Sequence, residues 1–336
     1  MATLRATDPT LLDVAQRAGN ESIRDMVEIL AQWNPMLEDA PAIPMNKGLW
    51  HENAIRTGLP TPFWGRVYKG VPTSKGTVQM VRDTSGFLES ASEVDERIVD
   101  DIESALGQAT IRQDEAEAHM EAMGQEMARA LIYSDSSTNP DRPTGLAPRF
   151  SSKTAENGKQ IIDAGGTGSD NTSIWIVTWD KKTVHLLYPN KGKAGIERFN
   201  RNKINRQDAN GDTFFVYRED FRWHMGLTVR DWRYVVRIAN IDVSDLTTDA
   251  VSGANLINLM TEGYYKHYGR RTKVGKTFIY ANTTIVKFLD YQARNVPKNL
   301  YLTLSQTGVN ASEVLSFRGI AIHETDAILE TEARVV

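Results

Sequence analysis

The segment 269–277, read as GRRTKVGKT, has the residue types of a loop that binds the phosphates of a nucleotide. Such a loop needs four residues between its glycines, and it leads from a strand into a helix whose N-terminus faces the phosphates. Here five residues separate Gly269 from Gly275, and the run FIYAN that follows is typical of a strand. Spacing and order both argue against nucleotide binding, so an intracellular nucleotide- or nucleic-acid-binding enzyme using the loop around Lys276 stays only as the alternative function.

Histidine side chains bind metals and act as general bases, but no two histidines of this chain have the spacing of metal ligands. His323 with Glu324 lacks the second histidine of the zinc-protease helix motif. No serine lies in a G-x-S-x-G elbow, and the absence of cysteine excludes disulfides, thiolate metal sites and cysteine nucleophiles. The sequence therefore predicts no catalytic residue, no metal site and no cofactor, and hence no enzyme.

A basic cluster follows the middle of the chain, close to Phe199 and within a polar loop. Lysine and arginine beside aromatic residues suit the backbone of a nucleic acid. A solvated or subunit-bridging loop fits the same pattern, and we favour it because most charge runs are only solvated. The cluster consists of Lys181, Lys182, Lys191, Lys193, Arg198, Arg201, Lys203 and Arg206.

Composition places the chain among ordinary globular proteins, with 336 residues, 40% hydrophobic and 24% charged. A net charge of -4 argues against a protein that coats nucleic acid over its whole surface, but it leaves a local basic patch open. No apolar run approaches the roughly 18 residues of a membrane span, and the N-terminus lacks the apolar region of a signal peptide. We therefore expect a protein that stays inside the cell that makes it and does not bind membranes.

The element that organises the chain is a long helix predicted over 112–132. Its apolar residues recur at steps of four, three, four and four, which places them on one face, while the opposite face is acidic. At 1.5 Å per residue this helix would be roughly 30 Å long, enough to cross a small domain. We expect its stripe to pack in a core, and the stripe is formed by Ala116, Met120, Met123, Met127 and Leu131.

Two segments before the long helix lack a core of their own. A helix over 21–33 carries an apolar face that must dock on this chain or on a neighbour. Strands predicted over 63–68 and 77–82 form a long ribbon, which is marginal in water without a surface to lie on. From these residues alone, that surface can belong to the same domain or to another subunit. A further helix is predicted to begin at Ser92, from its S-x-x-D pattern.

After the long helix, alternating apolar residues and turn signals predict a β-rich region up to residue 238, followed by an α/β unit after about residue 245. The predicted strands are 173–179, 183–188, 213–218, 221–229, 232–238, 277–281 and 300–304. Two helices are predicted, one over 253–265 and one opened by Asn282.

This order of parts resembles the major capsid proteins of tailed bacteriophages, which have the Hong Kong 97 or Johnson fold. It is most similar to those of short-tailed phages of the epsilon15 and Bordetella-phage kind. The similarity covers nearly the full chain, but the β-rich region precedes the α/β unit, unlike the prototype. It is carried by the runs PTGLAPRF at 143–150, WIVTWDKKTVHLLYP at 175–189, FRWHMGLTVRDWRYVVRIANID at 221–242 and FRGIAIHETDAI at 317–328.

The resemblance implies an α+β capsid fold with shuffled connectivity. Its parts would be an N-terminal arm at 1–44, an extended β-hairpin loop at 45–92, a peripheral domain with the spine helix at 93–244, and an axial domain with C-terminal strands at 245–336. The implied function is that of a structural major capsid protein, which self-assembles into pentamers and hexamers forming an icosahedral shell around double-stranded DNA, without sequence-specific binding.

The resemblance also implies partners and contact residues. Scaffolding, portal and cement proteins are the expected partners, with assembly in the host bacterial cytoplasm and residence in the virion capsid. A hairpin that cannot stabilise itself would lie across the adjacent subunit, which couples folding to assembly. The residues expected at contacts between subunits are Ile23, Met26, Leu30, Trp33, Phe63, Trp64, Tyr68, Val78 and Met80.

Overall fold

The computed structural model of this chain describes residues 18–19, 22–23, 34–48, 50–100, 105–208, 210–248, 253–295, 302–306 and 313–336. Within these ranges the α-helices are α1 Met36–Asp39, α2 Glu96–Asp100, α3 Ala105–Tyr133, α4 Leu146–Arg149, α5 Leu256–Lys266, α6 Gly269–Thr272 and α7 Thr283–Asn295. None of the helices in the described part has the length and apolar character needed to cross a membrane.

The strands make the fold predominantly a β structure with a few helices. In chain order they are β1 Ala18–Gly19, β2 Ser22–Ile23, β3 Ala42–Pro44, β4 Trp50–Gly58, β5 Thr77–Asp95, β6 Ile161–Asp163, β7 Asn171–Trp179, β8 Val184–Tyr188, β9 Glu197–Gln207, β10 Thr213–Val229, β11 Val235–Asp242, β12 Lys276–Ala281, β13 Leu302–Gln306, β14 Glu313–Phe317 and β15 Ile320–Glu324.

The described chain divides into two compact units. The smaller unit contains Phe87–Ala128 and Lys193–His224, and the larger one contains Asn34–Gly86, Arg129–Gly192 and Met225–Val336.

The core of the larger unit is built on two fully buried strands, β7 and β11. They pair antiparallel, and β7 pairs antiparallel with β12 on its other side. Strand β12 then runs parallel to β15, which continues through β14 to β13. The buried faces of β7 and β11 are mainly apolar, but they also contain buried polar residues such as Thr178, Arg237 and Asn240.

Helices α5 and α7 pack against this sheet, because their apolar residues recur one turn apart. Ile285, Leu289 and Ala293 of α7 are buried in the same cluster as Ile176 and Ile238 of the sheet. Side-chain caps begin both helices. At the start of α7, the side chain of Asn282 accepts a hydrogen bond from the Ile285 N–H at 2.9 Å. At the start of α5, the side chain of Asn255 accepts one from the Asn258 N–H at 3.0 Å.

Gln292 joins the two helices through a buried, fully bonded amide. Its oxygen accepts from the Leu256 N–H at 2.9 Å. Its nitrogen donates to the carbonyls of Thr247 and Ala254, each at 3.0 Å. The polar side chain therefore occupies the core without an unsatisfied group, and it fixes where α5 begins.

The described elements of the smaller unit are β1, β2, β9, α2, residues 87–95 of β5, residues 213–224 of β10 and residues 105–128 of α3. Strands β9 and β10 pair antiparallel with an irregularity between Arg218 and Glu219. A small apolar cluster of Val94, Ile98 and Val99 packs against Tyr217.

Most predicted elements of the later chain are confirmed within two or three residues: 173–179, 183–188 and 277–281 are strands, and Asn282 opens a helix. The strands predicted at 213–218 and 221–229 are one continuous strand, β10. The long helix is confirmed and is longer than predicted, at 29 residues.

Three predictions were wrong. Residues 63–68 form no strand, because the ribbon pairs β4 with β5 and these residues lie in the loop between them. Ser92 lies inside β5, and the helix begins only at Glu96. Where a helix was expected from residue 21, the described residues Ser22–Ile23 pair with Ala18–Gly19 as short strands, and the rest of that segment lies outside the described residues.

Candidate functional site

The ribbon formed by β4 and β5 carries an exposed tip. The two strands pair antiparallel from Trp50 opposite Thr84 to Gly58 opposite Thr77. Residues 59–76, here called the ribbon tip, are all exposed. Trp64 and Tyr68 are 101% and 103% exposed, so neither side chain packs on the rest of the described chain.

The ribbon tip combines apolar and basic character. Phe63 is also exposed, as are Val78 and Met80 on the adjoining part of β5. The tip contains two lysines and one arginine but no carboxylate. Exposed apolar patches of this kind mark interaction sites in soluble proteins.

The base of the ribbon, in contrast, is fixed by buried polar contacts. Asp83 of β5 accepts hydrogen bonds from Arg149 at 2.7 Å and from the Thr228 hydroxyl. Asn53 of β4 donates to that same hydroxyl at 2.7 Å. Gly226 permits the close approach of β10 to β5, because a Cβ there would lie 2.6 Å from the Thr84 carbonyl oxygen. The ribbon is therefore anchored at its base and unsupported at its tip.

Two buried histidines lie at this base with their rings 5.8 Å apart. Burial lowers the pKa of His51 below its ordinary value. Burial, with the neighbouring His51, lowers the pKa of His185 to about 4. Both rings are therefore neutral at pH 7, and they pack against each other at the base of the ribbon.

Half of the basic cluster predicted from sequence lies not in a solvated or subunit-bridging loop, as we expected, but on strand β9, where its cations form ion pairs within the smaller unit. Its four cations on β9 meet carboxylates of β5, α2 and β10. The pairs are Arg198–Glu219, Arg201–Asp220, Lys203–Glu96, Lys203–Asp100, Arg206–Glu93, Arg218–Glu93, Arg218–Asp220 and Arg112–Glu219. The carboxylates could not be assigned from the sequence, because Glu93 and Glu96 lie 113 and 107 residues from their partners, and Glu219 and Asp220 meet theirs only through the pairing of β9 with β10.

Glu219 is the most enclosed carboxylate of this network, with a side chain only 6% exposed. Burial alone would raise its pKa, but the hydrogen bonds and charges of Arg198 and Arg112 outweigh burial and hold the pKa below its ordinary value. For Asp220 the guanidinium groups of Arg201 and Arg218 likewise outweigh burial. Both groups therefore contribute stability in their ionised form.

We expect Glu219→Gln to lower the free energy of unfolding by about 1 to 3 kcal/mol at pH 7, because two arginines lose their shared charge partner. A carboxylate with a lowered pKa in the folded state stabilises fully above its unfolded pKa, near 4.3, and loses that contribution as pH falls through the folded value. The difference from wild type should therefore disappear in acid. Urea unfolding at several pH values measures it.

The matched control is Glu156→Gln, which removes a carboxylate from an exposed pair with Lys159 at 3.8 Å. It should change stability by no more than about 0.5 kcal/mol at any pH. An equal loss in both variants would contradict the role given to Glu219.

The loop around Lys276 does not have the order of a phosphate-binding loop. The short helix α6 comes first, Lys273 has a left-handed backbone, and Lys276 is exposed at the start of β12. Within the described residues no group of three or more acidic or histidine side chains could hold a metal ion.

The other predicted residues fall in two classes. Met26, Leu30 and Trp33 lie outside the described residues, and Ile23 is described only as backbone of β2. On the long helix Met123, Met127 and Leu131 are buried together with Ala116, while Met120 is half-buried. A contact that the sequence did not predict joins Ser90 to His119 of this helix at 2.6 Å, with the histidine stacked on Phe221.

Comparison with known proteins gives a consistent picture. The sequence model of a family described as Major capsid protein GP7 matches residues 18–336. Curated proteins yield no match. A solved structure from bacteriophage epsilon15 is 34% identical, with 100% of this chain and 99% of that chain covered and a TM-score of 0.79. The bacteriophage JBD30 capsid is 11% identical, with 96% and 99% covered and a TM-score of 0.53, a likeness of fold alone.

Proposed function

Because this chain belongs to the GP7 family of major capsid proteins, we propose that its copies join through their ribbon tips into pentamers and hexamers of a shell around double-stranded DNA. The family and the Hong Kong 97-type fold are those that the sequence resembled. The chain is a structural subunit of an icosahedral phage capsid, and nothing supports the alternative of an enzyme at Lys276.

The observation that carries this proposal is the complete exposure of Trp64 and Tyr68 on a tip whose base is rigid. A two-stranded ribbon without a supporting surface is marginal in water. A surface supplied by a second copy would bury the tip and stabilise the ribbon at the same time. Many such contacts, each weak, sum to a stable shell that can still correct errors during assembly.

Charge complementarity favours the long helix of the adjacent copy as the acceptor. The ribbon tip has three cations and no carboxylate. The helix segment 112–132 has five carboxylates and two arginines. Opposite charges on the two surfaces would orient the encounter and disfavour tip-to-tip pairing.

The remaining roles follow from the same proposal. The segments 1–44, 45–92, 93–244 and 245–336 would act as arm, extended loop, peripheral domain and axial domain, with the long helix as spine. The subunit would assemble in the host bacterial cytoplasm with scaffolding, portal and cement proteins, and would have no catalytic activity of its own.

The test is a double variant, Trp64→Ser with Tyr68→Ser. We expect its unfolding free energy to stay within about 0.5 kcal/mol of wild type, because both side chains are fully exposed. Shell formation should fall sharply, because the apolar contact with the neighbouring copy is lost. Sedimentation velocity and electron microscopy of the purified protein measure shells against free subunits.

The matched control is Tyr291→Ser, which removes an exposed tyrosine from α7. It should leave shell yield unchanged. Normal shells from the double variant would refute the role of the tip, and a large loss of subunit stability would show that the tip packs within its own chain.

A further inference from the structure

The motif GRRTKVGKT, rejected as a nucleotide loop, forms part of a concentrated positive surface in the larger unit. Between Glu262 and Asp290 the chain has no carboxylate. The surface, here called the basic–tyrosine patch, consists of Tyr264, Tyr265, Arg270, Arg271, Lys273, Lys276 and Arg318.

Two adjacent tyrosines hold the arginines of the patch. The guanidinium carbon of Arg270 lies 5.0 Å from the ring centroid of Tyr265 and 5.5 Å from that of Tyr264. That of Arg318 lies 5.2 Å from both rings. Tyr265 is itself exposed. Cation–π contacts fix the guanidinium planes without using their hydrogen-bond donors.

Four cations of the patch have no counter-charge in the described part of the chain. Arg270, Arg271, Lys273 and Lys276 form no ion pair and no side-chain hydrogen bond with a described residue, and the Arg270 Nε is buried without an acceptor. The cations of β9, in contrast, each meet at least one carboxylate. The charge of the patch is therefore available to an external anion.

The backbone adds a second observation. Lys273 and Arg318 both have a φ of 51°, in the left-handed region where glycine and asparagine are favoured. Lys273 ends α6, and Arg318 precedes Gly319 in the tight turn between β14 and β15. Both turns therefore place a long cationic side chain at a position where glycine or asparagine would be less strained.

We propose that the basic–tyrosine patch binds the phosphate backbone of double-stranded DNA without reading its sequence. Guanidinium and ammonium groups at neighbouring turns can each reach a phosphate oxygen, and such contacts carry no base information. This inference rests on one part of the proposed function, namely that the shell encloses DNA. Because every subunit of the shell carries the patch, many weak contacts together can hold the DNA.

The test is a triple variant, Arg271→Gln with Lys273→Gln and Lys276→Gln, which changes only exposed residues. Fluorescence anisotropy with two labelled duplexes of unrelated sequence measures affinity between 50 and 300 mM salt. We expect wild type to bind both duplexes alike. The variant should bind both at least about tenfold more weakly at 100 mM, with the salt slope of log K reduced by about 2 to 3.

The matched control is Lys181→Gln with Lys182→Gln and Lys191→Gln, an equal loss of charge at exposed lysines elsewhere in the larger unit. This control should bind DNA with the affinity and the salt slope of wild type. Both the patch variant and the control should form shells. If both variants bound DNA equally more weakly than wild type, or if neither did, the assignment of DNA binding to the basic–tyrosine patch would be wrong.

The assembly readout separates this inference from the proposed function. If the patch variant binds DNA normally but forms no shells, the patch contacts another copy of the chain and the assignment fails. If wild type forms no shells under any condition, the proposed function fails whatever the anisotropy shows.

Discussion

Glu332→Ala is expected to lower the free energy of unfolding by about 3 to 5 kcal/mol, because it leaves a buried arginine without its charge partner. Arg237 and Glu332 are joined at 2.8 Å with side chains only 4% and 3% exposed. The same carboxylate accepts hydrogen bonds from Ser173 at 2.7 Å and from Tyr133. One substitution therefore removes an acceptor shared by three donors, of which Ser173 and Arg237 are buried, and Arg237 keeps only its bond to the Phe150 carbonyl.

The phenol of Tyr133 is part of this arrangement. Burial, together with the adjacent carboxylate of Glu332, raises its pKa, so it remains a neutral hydrogen-bond donor at any working pH. Chemical denaturation monitored by circular dichroism measures the loss. A stability of 5 to 15 kcal/mol is typical of a folded domain, so a loss of this size should also lower the yield of shells.

A double-mutant cycle provides the control for this prediction. Glu332→Leu combined with Arg237→Met removes the unpaired charge that either single change leaves, and it should be more stable than Glu332→Leu alone, while Ser173 and Tyr133 still lack their acceptor. Glu332→Gln should be intermediate, because it keeps an acceptor but not the charge. Single variants as stable as wild type would mean that the pair is not buried in solution.

Met123→Asp is expected to have a comparable or larger effect, because it places a carboxylate in the core of the long helix. Met123 is 3% exposed. Full burial raises the pKa of a carboxyl by up to 3 to 5 units, so the new side chain stays largely neutral at pH 7, and keeping it protonated at that pH costs about 4 kcal/mol, to which the lost packing of Met123 adds. We expect insoluble or partly folded protein and no shells, measured by the soluble fraction and by sedimentation.

The adjacent residue gives a matched control on the same helix. Ala122→Asp introduces the same charge one position away, at an exposed site. It should change stability by well under 1 kcal/mol and leave shells intact. Similar behaviour of the two variants would show that the buried face of the helix has been assigned wrongly.

Local patterns predicted those parts of the fold that local forces determine. The methionine stripe predicted the long helix because its period is set by one element. Asn282 predicted the start of α7 because its side chain bonds to a backbone N–H only three residues away. The prediction of a capsid subunit used the order of parts along the whole chain, and the family match confirms it.

The wrong predictions came from patterns whose meaning depends on distant partners. Residues 63–68 are rich in aromatic residues and precede a turn of Gly and Pro, as a strand often does, but they are exposed and pair with no other strand in the described chain. Ser92 has the signature of a helix cap, yet it lies within β5, where pairing between strands overrides a local preference. The partners of Arg206 and Arg237 lie 113 and 95 residues away, a distance that no local pattern spans.

The pairing of Arg237 with Glu332 also sets a timing requirement on synthesis. The acidic partner follows the basic one by 95 residues. At about 5 to 20 residues per second, a ribosome needs roughly 5 to 20 s to supply it. Until then Arg237 has no counter-ion, and burying strand β11 in the sheet costs the free energy of an unpaired buried charge. We therefore expect a chain that stops before Glu332 to keep an unpaired arginine in its core, and hence to be more sensitive to proteolysis than the full chain.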